Sequence, residues 1–182
     1  MGIDANNPWS LGDTLVTGIG QGYNLVTPLQ LVNVTAAVAN GGTLYKPQLV
    51  LNVTDPTGKI VQDYKPEVIR QIPVSPENLA LVREGMHDVV TAKNGTAYTK
   101  INVAGVQVAG KTGTAEFGDP IGIVNGKEVR RAYAWFTAFA PFDNPQLAVV
   151  VLLEGGQESL EGSTYAVPVA NDILNASFHP AQ

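Results

Sequence analysis

Three strand-like segments follow one another in the second half of the chain, and this order restricts the fold more than any other feature. They read INVAGVQVAGKTGTAE, AYAWFTAFAPF and PQLAVVVLLEGG, and they are rich in the β-branched and aromatic residues that favour strands. The connections between them contain proline and glycine but no helical pattern. Strands joined without crossover helices pair antiparallel. We therefore predict a three-stranded antiparallel sheet over residues 106–155, packed by helices in an α+β fold.

Helical patterns occur on both sides of this sheet in the sequence. The first covers residues 27–42, where Thr27 supplies an N-cap, Pro28 takes the first helical position, and Asn-Gly-Gly ends the helix. The second begins at Ser75 and ends at about Thr91, with apolar residues spaced three and four apart. The third is the C-terminal segment YAVPVANDILNASF, which has the same spacing. We expect these helices to pack against the sheet.

Short β-branched runs occupy residues 45–74, between the first two helices. The runs QLVLNV, KIVQDY and EVIRQI are separated by the turn-forming sequences DPTG and KP. This pattern predicts a small β-hairpin subdomain.

The composition excludes several classes of partner. The 182 residues are 45% hydrophobic and carry a formal net charge of −5, so the chain can bury a core but has no basic surface for a nucleic acid. It contains no cysteine, and its two histidines, His87 and His179, lack the spacing of metal ligands. We therefore predict no metal site and no cofactor. No apolar run of about twenty residues occurs, so no membrane segment is predicted within these residues.

The stretch GVQVAGKTGTAEFGDP has two incompatible interpretations. Gly105, Gly110, Lys111 and Thr112 match the phosphate-binding pattern G-x-x-x-x-G-K-[ST]. Such a loop lies between a strand and a helix, because the unpaired N–H groups of the helix bind the phosphates. Here Gly113 and the following TAEFGDPIG leave no room for a helix. A nucleotide-binding loop is therefore kept only as a remote alternative.

The second interpretation treats the same residues as a strand that binds a carboxylate. Alternate side chains of a strand share a face, so Thr112 and Thr114 present two hydroxyls together, and Lys111 adds a positive charge at their edge. Gly113 has no side chain, which lets a ligand backbone pair along the strand. The simpler alternative is an edge strand whose lysine and threonines are only solvated.

The sequence around this stretch resembles a known family. The chain is similar to the C-terminal half of the transpeptidase domain of class B penicillin-binding proteins. The resemblance is carried by VAGKTGTAE, by NGTA before it, by AWFTAFAP and LAVVVLLEGG after it, and by GDTLVTGIGQGYNLVTPLQL and ANGG upstream. GIGQGY before TPLQL is most similar to the elongation-type members, the penicillin-binding protein 2 group. The resemblance runs from about Asp13 to Phe178 and implies a fold like that of penicillin-binding proteins and serine β-lactamases.

The family also implies a role for each residue of the motif. The activity is that of a cell-wall D,D-transpeptidase, in which Lys111 polarises the site and orients the substrate. Thr112 and Thr114 hold the terminal carboxylate of a D-alanyl-D-alanine stem peptide or of a β-lactam, and Gly113 allows the close approach. The backbone N–H of Thr114 forms half of the oxyanion hole. Lys111 and Thr114 are thus the implied catalytic residues, and Thr112, Gly113 and Thr114 the implied substrate-binding residues.

Two motifs that the chemistry needs do not occur in this sequence. No serine has a lysine three residues later or an asparagine two residues later, so neither S-x-x-K nor S-x-N is present. We therefore expect residues 1–182 to be the C-terminal part of a transpeptidase domain, truncated at the N-terminus, inactive alone and partnered by its missing N-terminal half. The full-length protein is expected at the extracytoplasmic face of the bacterial cytoplasmic membrane, with its anchor outside this chain.

A non-catalytic module for cell-wall peptides or protein partners is the main alternative. The first helix bears on this choice, because residues 28–40 leave almost no polar face and should be covered on all sides. If a covering half is absent, a large apolar patch is exposed. We then expect the chain to self-associate, to exchange elements with a neighbour, or to have a mobile helix here.

Overall fold

The structure is a computed structural model, which describes residues 8–155 and 160–180. The predicted range of the domain, residues 1–182, extends beyond the described residues at both ends. The helices are α1 (Leu11–Gly18), α2 (Pro28–Ala39), α3 (Pro76–Thr91) and α4 (Val167–Phe178), and one π-helical turn, Gly162–Ala166, leads into α4. The strands are β1 (Thr43–Tyr45), β2 (Asn52–Thr54), β3 (Ile60–Asp63), β4 (Val68–Gln71), β5 (Ala109–Val124), β6 (Lys127–Ala140) and β7 (Leu147–Glu154).

The predicted antiparallel sheet is confirmed. Its three strands lie in the order β5-β6-β7, so β6 is central and β5 is an edge strand. The register pairs Lys111 with Thr137 across β5 and β6, and Thr137 with Val150 across β6 and β7. The apolar texture of β6 and β7 has a physical reason, because this part of the sheet is covered on both faces.

Helices cover the two faces of the sheet with different residues. On one face, the buried residues of α4 pack against the even-numbered residues of β6, as Leu174 does against Phe136, and both side chains are completely buried. On the other face, α2 packs against the odd-numbered residues, where Ala39 and Phe139 share a cluster with Met86 of α3. The Thr35 and Thr137 hydroxyls form a buried hydrogen bond of 2.6 Å at this second contact. The sheet therefore forms the middle layer between helices, in an α+β arrangement.

The helix boundaries follow the capping residues. The Thr27 hydroxyl accepts from the Gln30 N–H, and the side-chain oxygen of Gln30 accepts from the Thr27 N–H, which completes a capping box at the start of α2. The Ser75 hydroxyl caps α3 by accepting from the Asn78 N–H. Helix α1 was not predicted, although Ser10 and Asp13 form the same kind of box there. Within the described part of the chain, no helix has both the length and the apolarity to cross a bilayer.

Four short strands lie in the region between α2 and α3. β1 pairs with β4, and β2 pairs with β3, each pair being antiparallel. β2, β3 and β4 coincide with parts of the three predicted runs, whereas β1 lies before them and was not predicted. The division of residues 45–74 into a subdomain stays a prediction.

Strands β5 and β6 are longer than the sequence indicated. The sequence pattern ends the first strand at Glu116, before Asp119, and begins the middle strand at Ala132, after Arg130 and Arg131, and both boundaries are wrong. Glu116 pairs with Ala132 inside the hairpin, and β6 begins at Lys127. The register shifts between Phe117 and Gly122, and these irregularities accommodate the glycines and the proline that we read as a loop.

Candidate functional site

The Lys-Thr-Gly-Thr segment lies on the open edge of the sheet. Lys111, Thr112, Gly113 and Thr114 belong to β5, which pairs with β6 on one side only. The register places Thr112 and Thr114 opposite even-numbered residues of β6, so their side chains share one face, and that of Lys111 lies on the other. Because β5 is an edge strand, all four residues still line a single cleft.

Each threonine hydroxyl of this segment contacts a different part of the chain. The Thr112 hydroxyl lies 2.7 Å from the Thr96 hydroxyl, in the turn that follows α3. The Thr114 hydroxyl accepts a hydrogen bond of 3.3 Å from the backbone N–H of Gly162, at the start of the π-helical turn. Thr114 is exposed and Thr112 half-buried, so both hydroxyls lie at the surface of the cleft. Two further segments therefore fix the positions of the hydroxyls.

The backbone of β5 points polar groups away from the sheet at this place. The side-chain amide of Gln21 donates to the Thr114 carbonyl at 3.1 Å, and the Lys111 ammonium donates to the Thr112 carbonyl at 2.6 Å. In an antiparallel strand the N–H and C=O of one residue point to the same side. The N–H of Thr114 therefore faces the outer side of β5 together with its carbonyl. This edge has the pattern that an added strand would pair with.

A cleft of about 860 Å³ runs along this edge. The loop between α1 and α2 lines it with Gln21 and Leu25, and the π-helical turn lines it with Ser163. Tyr133 and Trp135 of β6 also line it. The cleft thus combines an apolar lining with one ammonium and several hydroxyls, as ligand sites commonly do.

Gly110 explains why the sequence imitates a phosphate loop. A Cβ at this position would lie 2.4 Å from Cζ of Phe136, so only glycine fits beneath the buried ring. The strand continues through Lys111 and Thr112 as far as Val124, and no helix starts there. The segment therefore does not form a phosphate-binding loop, and that alternative is not supported.

Charged side chains with a perturbed pKa lie elsewhere. The Ser10 hydroxyl and N–H lower the pKa of Asp13 at the α1 cap, and the Thr57 hydroxyl lowers the pKa of Asp55 in a turn. Hydrogen bonding, first to its own backbone N–H, lowers the pKa of Glu77 at the start of α3. These three carboxylates stabilise local structure and do not line the cleft. Within residues 8–155 and 160–180, no three potential metal-ligating side chains cluster together.

Sequence reasoning missed several residues of the cleft. Thr96, Gln21, Trp135 and Gly162 all contact or line it, and none of them was assigned a role. The segments NGTA, GIGQGY and AWFTAFAP contain Thr96, Gln21 and Trp135, and all three segments are part of the family resemblance. Nothing in the local sequence around Gly162 indicated that it lies against β5, because 48 residues separate it from Thr114.

Comparisons with known proteins agree with this geometry. The family model of the penicillin binding protein transpeptidase domain matches residues 2–175. The peptidoglycan D,D-transpeptidase MrdA of Haemophilus influenzae is 36% identical over 177 residues, which are 92% of this chain and 26% of that protein. The chain thus spans about a quarter of the length of this relative.

Two solved structures are similar as well. Penicillin-binding protein A of Mycobacterium tuberculosis, as a ceftriaxone acyl-enzyme complex, is 34% identical with a TM-score of 0.76, and the match covers 90% of this chain and 35% of that one. A complex between penicillin-binding protein 2 and MreC of Helicobacter pylori is 31% identical with a TM-score of 0.70, covering 95% and 28%. The strand order, the edge motif and these matches lead to one conclusion: the chain belongs to the penicillin-binding protein transpeptidase family, in its class B, penicillin-binding protein 2 group.

Proposed function

We propose that this chain provides the carboxylate-binding half of a peptidoglycan D,D-transpeptidase site. The observation that carries the proposal is the arrangement on β5, where two threonine hydroxyls and the Lys111 ammonium line one cleft beside an unpaired strand edge. Hydroxyl and ammonium donors suit a carboxylate, because charge-assisted hydrogen bonds are the strong ones. The ligands proposed are the C-terminal carboxylate of a D-alanyl-D-alanine stem peptide and the carboxylate of a β-lactam.

The strand edge gives the proposed ligand a direction. A peptide pairing with the outer side of β5 would bond to the carbonyl of Thr114, which the Gln21 amide now occupies. With the terminal carboxylate at Thr112 and Thr114, the preceding carbonyl would lie near the outward N–H of Thr114. That N–H would then stabilise the oxyanion that develops during acyl transfer. Lys111 would add positive charge at the same end.

The covalent step needs a group that this sequence does not supply. Acyl transfer of this kind requires a serine activated by a nearby base, and no serine here has a lysine at the required spacing. The proposal therefore assigns binding and oxyanion stabilisation to these residues and the nucleophile to another part of a complete transpeptidase domain. In the cell, the site would work at the extracytoplasmic face of the cytoplasmic membrane. By analogy with the MreC complex of the similar protein, we propose that the complete protein also binds partner proteins.

A binding experiment tests the carboxylate site in this chain. The probe is acetyl-Gln-D-Ala-D-Ala, titrated into the ¹⁵N-labelled protein and followed by NMR, with the same peptide bearing a C-terminal amide as control. We expect the acid to shift the Thr112 to Thr114 signals and the amide to bind much more weakly. Thr112→Val should weaken binding of the acid by about 1 to 3 kcal/mol, because one hydroxyl donor is lost.

The matched variant is Thr54→Val. Thr54 is an exposed strand threonine of β2, outside the cleft, so this change should leave the affinity unchanged. Equal binding of acid and amide, or equal effects of the two valine variants, would contradict the proposed carboxylate site.

A further inference from the structure

The hydroxyls of Thr96 and Thr112 form a pair that keeps one proton free for a ligand. Their oxygens lie 2.7 Å apart, so one hydroxyl donates to the other. Each hydroxyl carries a single proton, and the second proton of the pair has no acceptor within residues 8–155 and 160–180. Both threonines line the cleft, so this proton is available to an acceptor group of the ligand.

A second threonine pair in the molecule has no such free proton. The hydroxyls of Thr35 and Thr137 lie 2.6 Å apart between α2 and the sheet, where both residues are buried. Each of these hydroxyls also reaches a backbone carbonyl oxygen, at 2.9 Å and 3.2 Å respectively. Both protons of that pair therefore have acceptors inside the protein. The pair in the cleft differs in the way that a ligand site requires.

The turn that carries Thr96 is closely fitted against α3. The Ala97 N–H donates to the Val89 carbonyl at 3.0 Å, and the Ala97 side chain is completely buried. At Gly95, a Cβ would lie 2.4 Å from the same carbonyl oxygen, so only glycine fits there. Thr96 lies between these two residues and is exposed, so packing of the turn does not require its hydroxyl. A fixed turn thus presents this hydroxyl to Thr112.

A bound carboxylate would set the direction of the hydroxyl pair. A carboxylate only accepts hydrogen bonds, so the Thr112 hydroxyl must point its proton at the ligand. The bond between the two hydroxyls then persists only with Thr96 as the donor. Hydrogen bonds in such a chain strengthen one another, because each polarises the next. Thr96 is exposed, so its own lone pairs stay in contact with solvent and no buried acceptor is left unsatisfied.

We propose that Thr96 is a positioning residue of the carboxylate site, which holds the Thr112 hydroxyl with its proton directed at the ligand. Thr96 acts through Thr112 and does not contact the ligand itself. The proposal rests on the proposed function, since it needs a carboxylate at Thr112. It also gives a role to the segment NGTA, which contains Thr96 and is part of the family resemblance.

Titration of acetyl-Gln-D-Ala-D-Ala into the labelled chain tests this role, with the C-terminal amide of the same peptide for comparison. Thr96→Val should weaken binding of the acid about two- to tenfold, as expected for one lost hydrogen bond, and should leave the weaker binding of the amide unchanged. Thr96→Ser keeps the hydroxyl and should restore the affinity for the acid. The matched variant Thr91→Val removes a hydroxyl that donates to the His87 carbonyl at 3.0 Å outside the cleft, and it should bind like the wild-type chain.

A double-mutant cycle shows whether Thr96 acts through Thr112. In a chain that already carries Thr112→Val, the added change Thr96→Val should have no further effect on the affinity for the acid. A further loss in the double variant, as large as the loss in the single variant, would mean that Thr96 contacts the ligand independently. That result would contradict the positioning role.

The outcomes separate this role from the proposed function. Wild-type affinity in Thr96→Val, together with a loss in Thr112→Val, would overturn the role of Thr96 and leave the carboxylate site intact. Equal binding of acid and amide by the wild-type chain would overturn both. Weaker binding of acid and amide alike by Thr96→Val would show that Thr96 only maintains the shape of the cleft, against the proposal. If Thr96→Val does not fold, the Thr96 γ-methyl signal of the wild-type chain decides: it should shift with the acid only, and an unshifted signal at saturation refutes the role.

Discussion

Replacing Gly162 by alanine should strongly destabilise the protein, although the change adds a single methyl group. Gly162 starts the π-helical turn and lies directly against the Lys-Thr-Gly strand. A Cβ there would lie 2.3 Å from the carbonyl oxygen of Trp135 and 2.4 Å from that of Gly113. Both atoms belong to the backbone of the central hairpin, so neither moves aside as a flexible side chain would. The turn must therefore move away from the sheet.

The size of the effect follows from this displacement. Ordinary contacts begin at 3.4 Å, so the turn must move by about 1 Å. Overpacking of this kind costs about 1 to 3 kcal/mol. The hydrogen bond from Gly162 to the Thr114 hydroxyl would be lost as well, at about 0.5 to 1.5 kcal/mol. We therefore expect a loss of about 2 to 4 kcal/mol, which corresponds to a fall in Tm of about 4 to 15 °C for a chain of this size.

Thermal unfolding followed by circular dichroism measures this effect, with Gly85→Ala as the matched variant. Gly85 lies inside α3, and a Cβ there would meet no atom within 4 Å. That substitution should stabilise the helix by about 0.5 to 1 kcal/mol, because alanine is the better helix former. The two glycine-to-alanine changes thus have opposite predicted signs. A Gly162→Ala protein with the wild-type Tm would show that the turn does not press on the strand and would refute the reasoning.

Four further perturbations have defined outcomes. Arg83→Gln removes donors to two backbone carbonyls of neighbouring segments and should lower the free energy of unfolding by about 1.5 to 3 kcal/mol, so an unchanged urea midpoint would contradict the contact. The Thr57 hydroxyl lowers the pKa of Asp55, so the stabilisation from this carboxylate is present above its unfolded pKa of about 4 and is lost as pH falls through the lower folded pKa. Asp55→Asn should therefore show a smaller drop in Tm on acidification than the wild-type chain. An equal drop in both proteins would contradict a stabilising role for the Asp55 carboxylate. The chain should form no denaturation-stable adduct with a fluorescent penicillin, and a labelled band at its mass would disprove that expectation. Leu29 and Val34 of α2 are 59% and 55% exposed, so light scattering should detect self-association of the chain. Replacing both residues by glutamine should reduce this self-association. A strictly monomeric wild-type chain would contradict the prediction.

The sheet and three helices could be predicted because the sequence patterns that indicate them are local, and because the apolar residues of these patterns are the ones buried in the core. Helices α2, α3 and α4 combine caps or an N-terminal proline with an apolar face that packs in the core. Helix α1 was missed for the opposite reason. It is only eight residues long, none of its residues is buried, and Leu11 and Leu15 are largely exposed, so its apolar pattern is too short to indicate a helix and no core packing supports it.

The sequence pattern misplaced the end of β5 and the start of β6, because glycine and proline interrupt an edge strand less than they interrupt a central strand. Gly118, Pro120 and Gly122 indicate a loop when read alone, and the structure includes them in β5 through local shifts of register. An edge strand allows this, since one side of its backbone has no partner and a missing N–H costs little. Arg131 consequently lies inside β6, where its guanidinium contacts the Phe117 ring. No pattern of neighbouring residues could have shown that contact.

The motif contains residues that are required by packing and residues that are free to serve a ligand. Gly110 is required by the Phe136 ring on the adjacent strand, so packing fixes this position whatever ligand the site binds. Thr112 and Thr114 are different, because their hydroxyls lie at the surface of the cleft and one of them is exposed, so the core would tolerate other side chains there. The glycine created the match to a phosphate loop, whereas the hydroxyls indicate the carboxylate. It follows that a substitution at Gly110 should reduce stability first, and a substitution at Thr112 should reduce ligand affinity while the fold is kept.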